Sequence, residues 1–335
     1  MDVMKQYHAK FHQELLGLID PSNGMLHEQF NRYRSCPMCG SDDYQILFCK
    51  MGFHFVKCKD CAFVYTNPII DKAKLVNFSD GDAYTYIIEH QTKHTGIDWR
   101  WKREIEEITR FIKEGRLLDV GCGNGAFLKV ANAAGFETWG IEINYAAAKR
   151  AEEATGSKVP TGDVEEIGLP TAYFDVITLL QVLEHLDNPL LVLKRVHSLL
   201  KENGLLVVAV PNIDSFIIKI LGRHHRHYNG KGHINYFTAR SLKQMIEKAG
   251  FTKVLKYTTD KEELKPSVLL QIMINPTKFD FFNPRYFEKI ERGRYIDRLF
   301  NITKLQTLLW ILDMPFASLT NLLKKGSYLQ IYARK

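Results

Sequence analysis

The sequence predicts an α/β chain: a mostly parallel seven-stranded sheet, a small cysteine-bound module in front of it and a helical insertion ahead of the last strand. Three observations carry this. The stretch Leu117-Leu118-Asp119-Val120-Gly121-Cys122-Gly123-Asn124-Gly125 is an apolar run that ends in an acid and a glycine turn, and an alanine-rich stretch follows it. A second apolar run ends in Glu142, seventeen residues past Gly125. Two Cys-x-x-Cys pairs stand near the N-terminus with eighteen residues between them. Strand patterns alternating with helical patterns imply parallel strands joined by right-handed crossovers.

Residues 1–35 read as one or two short helices. Residues 36–70 hold Cys36-Pro37-Met38-Cys39 and Cys58-Lys59-Asp60-Cys61, whose spacing is that of a tetrahedral structural zinc site. Gly40 follows the first pair where the chain must reverse, and Phe53–Lys57 and Phe63–Tyr65 read as short strands, so the module is expected to be a zinc ribbon. Four thiolates leave no coordination position open, so Cys36, Cys39, Cys58 and Cys61 are expected to hold zinc structurally and not to activate water. Disulfides are the alternative, and a reducing compartment disfavours them. Cys49 and His54 read as bystanders. Asn67-Pro68 marks the exit from the ribbon, and residues 71–105, with Tyr84, Tyr86, Trp99 and Trp101, read as a helical lead-in.

Residues 106–260 form the expected core, with strands centred near 118, 139, 159, 177 and 207. Asp187-Asn188-Pro189 reads as a helix cap with proline in the first turn. Val192, Leu193, Val196, Leu199 and Leu200 make one apolar stripe on that helix, and Gly204 lies past its end. A helix is expected from Phe237-Thr238-Ala239 to Gly250, then a sixth strand over Phe251–Tyr257. Tyr328–Ala333, within residues 326–335, would be the seventh. Residues 261–325 form an insertion far longer than a hairpin needs, expected to serve substrate binding or assembly.

Composition narrows the class. Hydrophobic residues make up 45% and charged residues 25% of the chain, ordinary values for a globular protein. No signal segment opens it and no apolar stretch reaches the roughly 20 residues of a membrane span, so the expectation is a cytoplasmic chain. A net charge of +7 is mildly basic and does not by itself point to nucleic-acid binding. Ile213–Gly232 mixes Phe216, Ile217, Ile218, Ile220 and Leu221 with Arg223, His224, His225, Arg226 and His227. Residues 261–335 carry thirteen Lys and Arg against seven Asp and Glu. Basic and apolar residues together suit the inner face of an anionic membrane or a lipid-linked substrate. A core helix with a solvated basic face is the plainer reading. The histidine run 224–227 reads as an exposed loop, with contact to a diphosphate as the alternative.

The glycine turn differs from the dinucleotide fingerprint, because the acid stands two residues before the first glycine. A pyrophosphate wants the bare amides of a helix N-terminus, whereas a ligand with an ammonium and a sulfonium wants a carboxylate such as Asp119. Glu142 is placed to bind ribose hydroxyls. Gly162-Asp163-Val164, Phe174–Leu180, Gln181-Val182-Leu183-Glu184-His185-Leu186 and Gly204–Asn212 follow in order. With these motifs, residues 116–258 resemble a class I S-adenosylmethionine-dependent methyltransferase. The Glu184-His185 pair and Gly232-His233-Ile234-Asn235-Tyr236-Phe237 resemble the methyltransferase type 23 branch, with ubiquinone-type O-methyltransferases and sugar methyltransferases.

The resemblance implies a Rossmann-like methyltransferase sheet that binds S-adenosylmethionine through Asp119, Gly121, Cys122, Gly123, Gly125, Glu142, Asp163, Val164 and Gln181. It also makes the 71–105 lead-in a lid over the cofactor. His185 and His233 are the candidate general bases, because imidazole titrates near working pH. In the ubiquinone-type enzymes a glutamate three residues before the Glu-His pair completes a divalent-metal set. Gln181 stands there in this chain, so Mg²⁺ assistance is not expected. The expected activity is methylation of a hydroxyl or ring carbon of a small molecule: a sugar, nucleotide-sugar or lipid-linked intermediate. The alternatives are an rRNA methyltransferase whose ribbon binds RNA, and a non-catalytic adenosylmethionine-binding scaffold.

Overall fold

The computed structural model describes residues 3–71, 73, 98–259 and 326–335. Tyr84, Tyr86 and the whole 261–325 insertion lie outside the described residues. The chain begins with helix α1 (Val3–Leu18), whose Phe11, Leu15 and Leu18 recur at helical spacing and are buried. A 3₁₀ turn, Glu28–Phe30, leads into β1 (Asn31–Arg32). Three antiparallel strands follow: β2 (Tyr44–Lys50), β3 (Phe53–Cys58) and β4 (Val64–Thr66); β5 (Ile69–Ile70) then pairs with β1. The two-residue turn joining β2 to β3, Met51-Gly52, has positive φ at both positions, which matches the twist of a tight hairpin.

The larger unit opens with α2 (Asp98–Thr109), the described part of the expected lead-in. Its Trp101 stacks edge-on against Phe127 of the core, so this portion packs as a core helix. Then come β6 (Gly115–Val120), α3 (Ala126–Ala133), β7 (Phe136–Ile141), α4 (Tyr145–Thr155), β8 (Phe174–Leu180), α5 (Pro189–Leu199) and β9 (Leu200–Pro211). They are followed by α6 (Phe216–Leu221), β10 (Asn235–Tyr236), α7 (Ala239–Lys248), β11 (Lys253–Thr259) and β12 (Tyr328–Arg334). The sheet runs β11-β12-β9-β8-β6-β7, parallel from β7 to β9, with β12 antiparallel to both its neighbours. The strand order reverses beside β6, so the crevice at its carboxyl end is the natural ligand position of an open α/β sheet.

Several expectations are corrected. The sheet has six strands among the described residues. The third expected strand, near 159, is reduced to two isolated parallel bridges, Trp139 with Lys158 and Glu142 with Thr161. Pro160 lies between them and has no N–H to continue the ladder. Asn188 precedes α5 without a side-chain capping bond, although Pro189 does occupy its first turn. Gly204 lies inside β9, because the strand begins directly at Leu200. The real capping box belongs to α7: the Ser241 N–H donates to Thr238 Oγ1, and the Thr238 N–H donates to Ser241 Oγ. In α6, Ile217, Ile218 and Leu221 are buried with Phe11, Leu15 and Leu18 of α1, while Phe216 and Ile220 remain exposed. The core-helix reading of that stretch therefore holds for its inner face. No described helix is long and apolar enough to cross a membrane.

The ribbon is not a separate bead. Strand β10 adds to β4, pairing Asn235 with Tyr65 and Tyr236 with Val64, so the small sheet runs β10-β4-β3-β2. Phe55 packs against Tyr228 and Tyr236 from the other side of the chain. Gly230, with φ +68, lies in the same joint, where a Cβ would come 2.4 Å from Cγ of the fully buried Phe53. Gly230→Ala therefore combines a left-handed backbone with an overpacked ring. The expected cost is about 2–4 kcal/mol of stability, read as a lowered urea midpoint; an unchanged midpoint would refute this packing.

Candidate functional site

The carboxyl ends of β6 and β7 build one half of the site. Gly121, Gly123 and Gly125 all have positive φ, each for a different reason. A Cβ at Gly121 would meet Val182 at 2.7 Å, and one at Gly125 would meet Ala151 and Thr155 of α4 at 3.0–3.1 Å. A Cβ at Gly123 would meet no described residue within 4 Å, so that open face is where a ligand can approach. Gly125 is thus also a packing glycine, where α4 leaves no room for a side chain. The turn's amides are also spent internally: the N–H groups of Gly121 and Cys122 both donate to the Ile141 carbonyl. The Cys122 thiol is buried against Gly140.

Glu142 is buried and held rigidly. Its two oxygens accept from the N–H of Gly123 and the N–H of Asn144, each at 2.9 Å. Asp119 is buried beside it and accepts from Thr178 Oγ1 at 2.6 Å. Burial foremost, and the neighbouring Glu142, push the Asp119 carboxyl up to about 7, against the pull of Thr178. Two buried carboxyl groups side by side make a site that favours a positively charged ligand. Thr178 was not singled out from sequence. Its signal was there: one hydroxyl inside the apolar run Phe174–Leu180.

Asp163 and Val164 part company. The bridge from Glu142 to Thr161, with the Gly162 N–H donating to the Glu142 carbonyl, places exposed Asp163 at the same strand end. The Val164 side chain is in the core cluster, so any ligand contact it makes is through backbone. Gln181 follows β8 with φ +65, and its buried side-chain nitrogen has no hydrogen-bond partner among the described residues.

The other half follows β8. Leu183–His185 form a 3₁₀ turn. Glu184 is only 1% exposed, and neither carboxylate oxygen has a hydrogen-bond partner among the described residues. Burial pushes its carboxyl up to about 8. His185 Nδ1 lies 2.9 Å from the Gly232 carbonyl, which can only accept, so Nδ1–H donates. Its Nε2 is then 4.0 Å from Glu184 Oε1. His233 meets His185 edge-on, ring centroids 4.8 Å apart, and burial holds its imidazole well below the usual range. The two predicted bases are thus brought together. Ile234 N–H donates to the Glu184 carbonyl, and Asn235 Nδ2 donates to the carbonyls of Leu183 and Leu186, which clasps the two loops.

The histidine run is corrected here. His225 and His227 are buried, not part of an exposed loop; His227 stacks on His233 at 5.4 Å and meets His225 at 4.7 Å. Burial foremost, with Arg226 and Lys50, lowers His225 to about 3. Glu184, His185 and His233 offer ligand atoms within 4.8 Å of one another. That donor set, one carboxylate and two imidazoles, is nitrogen-rich and unlike the oxygen ligands Mg²⁺ prefers.

The cysteine site fits zinc. The four sulfurs lie within 4.8 Å of one another, with Cys36–Cys61 and Cys39–Cys58 both at 3.5 Å. Tetrahedral Zn–S bonds of about 2.3 Å imply sulfur–sulfur edges of about 3.8 Å. Backbone N–H groups of Met38 and Cys39 point at the Cys36 sulfur, and those of Asp60 and Cys61 at the Cys58 sulfur. Gly40 and Ala62 hold equivalent left-handed positions, their N–H groups donating to the carbonyls of Cys36 and Cys58. A cavity of about 550 Å³ lies between these knuckles and α7, lined by Met38, Cys61, Arg240 and Lys248 among others. None of its lining residues belongs to the glycine turn or the histidine cluster.

Residues 94–256 match the family described as a methyltransferase domain. An uncharacterized protein of Methanocaldococcus jannaschii is 29% identical over 46% of this chain and 73% of its own length. The ubiquinone biosynthesis O-methyltransferase of Parvibaculum lavamentivorans is 29% identical over 38% of this chain, which spans about half (50%) of that relative. A chain from the complex containing the Haloferax volcanii Trm112 methyltransferase activator superposes with a TM-score of 0.50 at 13% identity, covering 76% of this chain and 97% of its own. That likeness speaks to fold alone.

Two outcomes follow from the geometry. Cys58→Ser removes one corner of the four-sulfur site, so metal analysis of purified protein should find less than one zinc per chain, with a lowered melting temperature; full occupancy would sink the assignment. Glu184 in the folded chain keeps its proton up to about pH 8, whereas an unfolded glutamate loses it above 4.5. Wild-type stability therefore falls, for this group, as pH rises between those values. The stability gained by Glu184→Gln should grow from pH 5 to pH 8 in denaturant titrations, and a pH-independent difference would rule the buried protonated acid out.

Proposed function

We propose that this chain, which belongs through residues 94–256 to the class I S-adenosylmethionine-dependent methyltransferases, methylates a hydroxyl or carbon of a small molecule. The acceptor class is a sugar, nucleotide-sugar or lipid-linked intermediate. The observation that carries this reading is the meeting of two sets of groups at one end of the sheet. The carboxylates Asp119 and Glu142 frame an open glycine face, and the Glu184, His185 and His233 cluster stands after the neighbouring strand β8.

Bound there, S-adenosylmethionine supplies a methyl group already activated by its sulfonium. Glu142, oriented by the Gly123 and Asn144 amides, takes the ribose hydroxyls while Asp119 faces the cationic end. Asp163 would stand at the adenine side, and the unpartnered side-chain nitrogen of Gln181 would be left to donate to the ligand. The remaining chemistry is positioning, water exclusion and removal of the acceptor's proton.

His185 is the better base of the pair. Its side chain is 45% exposed, and its Nδ1–H is fixed on the Gly232 carbonyl, which leaves Nε2 to accept a proton. The buried Glu184 carboxyl lies 4.0 Å from that nitrogen. His233, held neutral by burial, packs the ring in place. The ubiquinone biosynthesis relatives support a small-molecule acceptor for this chain by name alone.

The test is transfer of labelled methyl from S-adenosylmethionine into a cell extract separated into RNA, protein, lipid and small-molecule pools. Label is expected in the small-molecule or lipid pool. Label in RNA would replace this reading with an RNA methyltransferase, and cofactor binding with no label in any pool would favour a scaffold. His185→Ala should lower transfer by about 100-fold or more with cofactor affinity kept. Unchanged turnover in both His185→Ala and His233→Ala would remove the general-base role.

A further inference from the structure

Arg34 lies just before the first cysteine knuckle, yet its guanidinium reaches across to the catalytic half of the molecule. Nε donates to the Thr66 carbonyl at 3.3 Å on β4 of the ribbon. Nη1 donates to the Asp187 carbonyl at 3.0 Å, two residues past His185. Nη2 donates to the Ile234 carbonyl at 2.7 Å, directly after His233, and to Asn235 Oδ1 at 3.1 Å. The backbone of Arg34 is itself pinned, its N–H donating to Asn67 Oδ1 at 3.0 Å, and the guanidinium lies over the Tyr65 ring.

We infer that Arg34 is a positioning residue for the His185–His233 pair, so that the ribbon acts as a structural arm of the methyl-transfer site. The inference rests on the methyltransferase reading given above. Arg34 holds the main chain just after each of the two imidazoles. Three of its acceptors are backbone carbonyls on three different segments, and the fourth belongs to Asn235. That asparagine's own Nδ2 spans Leu183 and Leu186 around the Glu184-His185 turn. One planar fork therefore sets the distance between two loops that are remote in sequence. Lysine, a single point charge on a flexible stem, cannot satisfy four acceptors in those directions. The ion pair of Arg32 with Asp187 adds a second, more exposed tie to the same loop.

A purely structural role predicts something different. In that case loss of the guanidinium would lower stability, but each molecule that remained folded would keep its imidazole geometry and its rate.

The experiment uses the full chain as wild type, Arg34→Met, Arg34→Lys and the surface control Lys253→Ala, exposed on β11. Zinc content, S-adenosylmethionine affinity by calorimetry, ¹³C–¹H imidazole spectra and labelled-methyl transfer are measured on each. Arg34→Met is expected to keep its zinc and its cofactor affinity, to shift the His185 and His233 resonances, and to lower the maximal transfer rate by about 100-fold, the scale of a misplacement near 1 Å. Arg34→Lys should fall between it and wild type, and Lys253→Ala should match wild type. Wild-type imidazole spectra and rate per folded molecule in the arginine variants would overturn the inference. If Arg34→Met does not fold, Arg34→Lys decides on the same two readouts. Absence of cofactor binding by the wild type would instead defeat the methyltransferase reading, and the imidazole spectra would still decide whether Arg34 sets the pair.

Discussion

The short antiparallel pairing of Val64 and Tyr65 with Asn235 and Tyr236 is the constraint on which the rest of the site depends. It is only two residues long, and alone it would be marginal. It persists because both sides are anchored. On the ribbon side, four sulfurs drawn to within 4.8 Å fix the ends of β3 and β4. On the core side, Asn235 is tied to the turn that carries Glu184 and His185, and Phe237 packs on Phe63 of the ribbon. Metal binding, where a closed cysteine site contributes folding energy outright, is thereby connected through one ladder to the spacing of two imidazoles.

The electrostatics of the site divide along the same line. At the glycine turn, Asp119 and Glu142 are buried near one another and accept from hydroxyl and amide donors. Burial works against the charge of Asp119, so a cationic ligand would recover much of what desolvation costs. Beyond β8 the arrangement is inverted. The imidazoles at 225, 227 and 233 are all held below their ordinary range, while the one carboxyl among them, Glu184, is held above its own. The whole cluster is thus biased toward neutral forms, and His185, the most open member, is where a proton can arrive from outside.

The fold keeps these two environments adjacent by topology. Strand β6 carries Asp119 and the turn, and β8 beside it carries Thr178, which reaches back to Asp119, and then leads into Gln181, Glu184 and His185. A single pair of parallel strands therefore aligns the expected donor end with the acceptor end. Rigid strands set that alignment, while the loop that brings His233 is held from outside the core, by the ribbon.

What the sequence by itself determined is whatever short-range chemistry fixes. Three glycines at positive φ after an apolar run, an acid at the end of the next strand and two Cys-x-x-Cys pairs at ribbon spacing each dictate a local backbone. Such backbones survive whatever packs around them. The same local reading mistook the third strand, because one proline is enough to break a marginal edge ladder. It also mistook His225 and His227, because burial of a loop depends on what covers it. Only the tertiary structure decided that Gly125 packs α3 on α4, that His233 comes to His185, and that Arg34 links the ribbon to both loops. Each of these is a contact between segments far apart in the chain. No periodicity or spacing encodes such contacts, because they follow from which faces the folded elements leave to be joined.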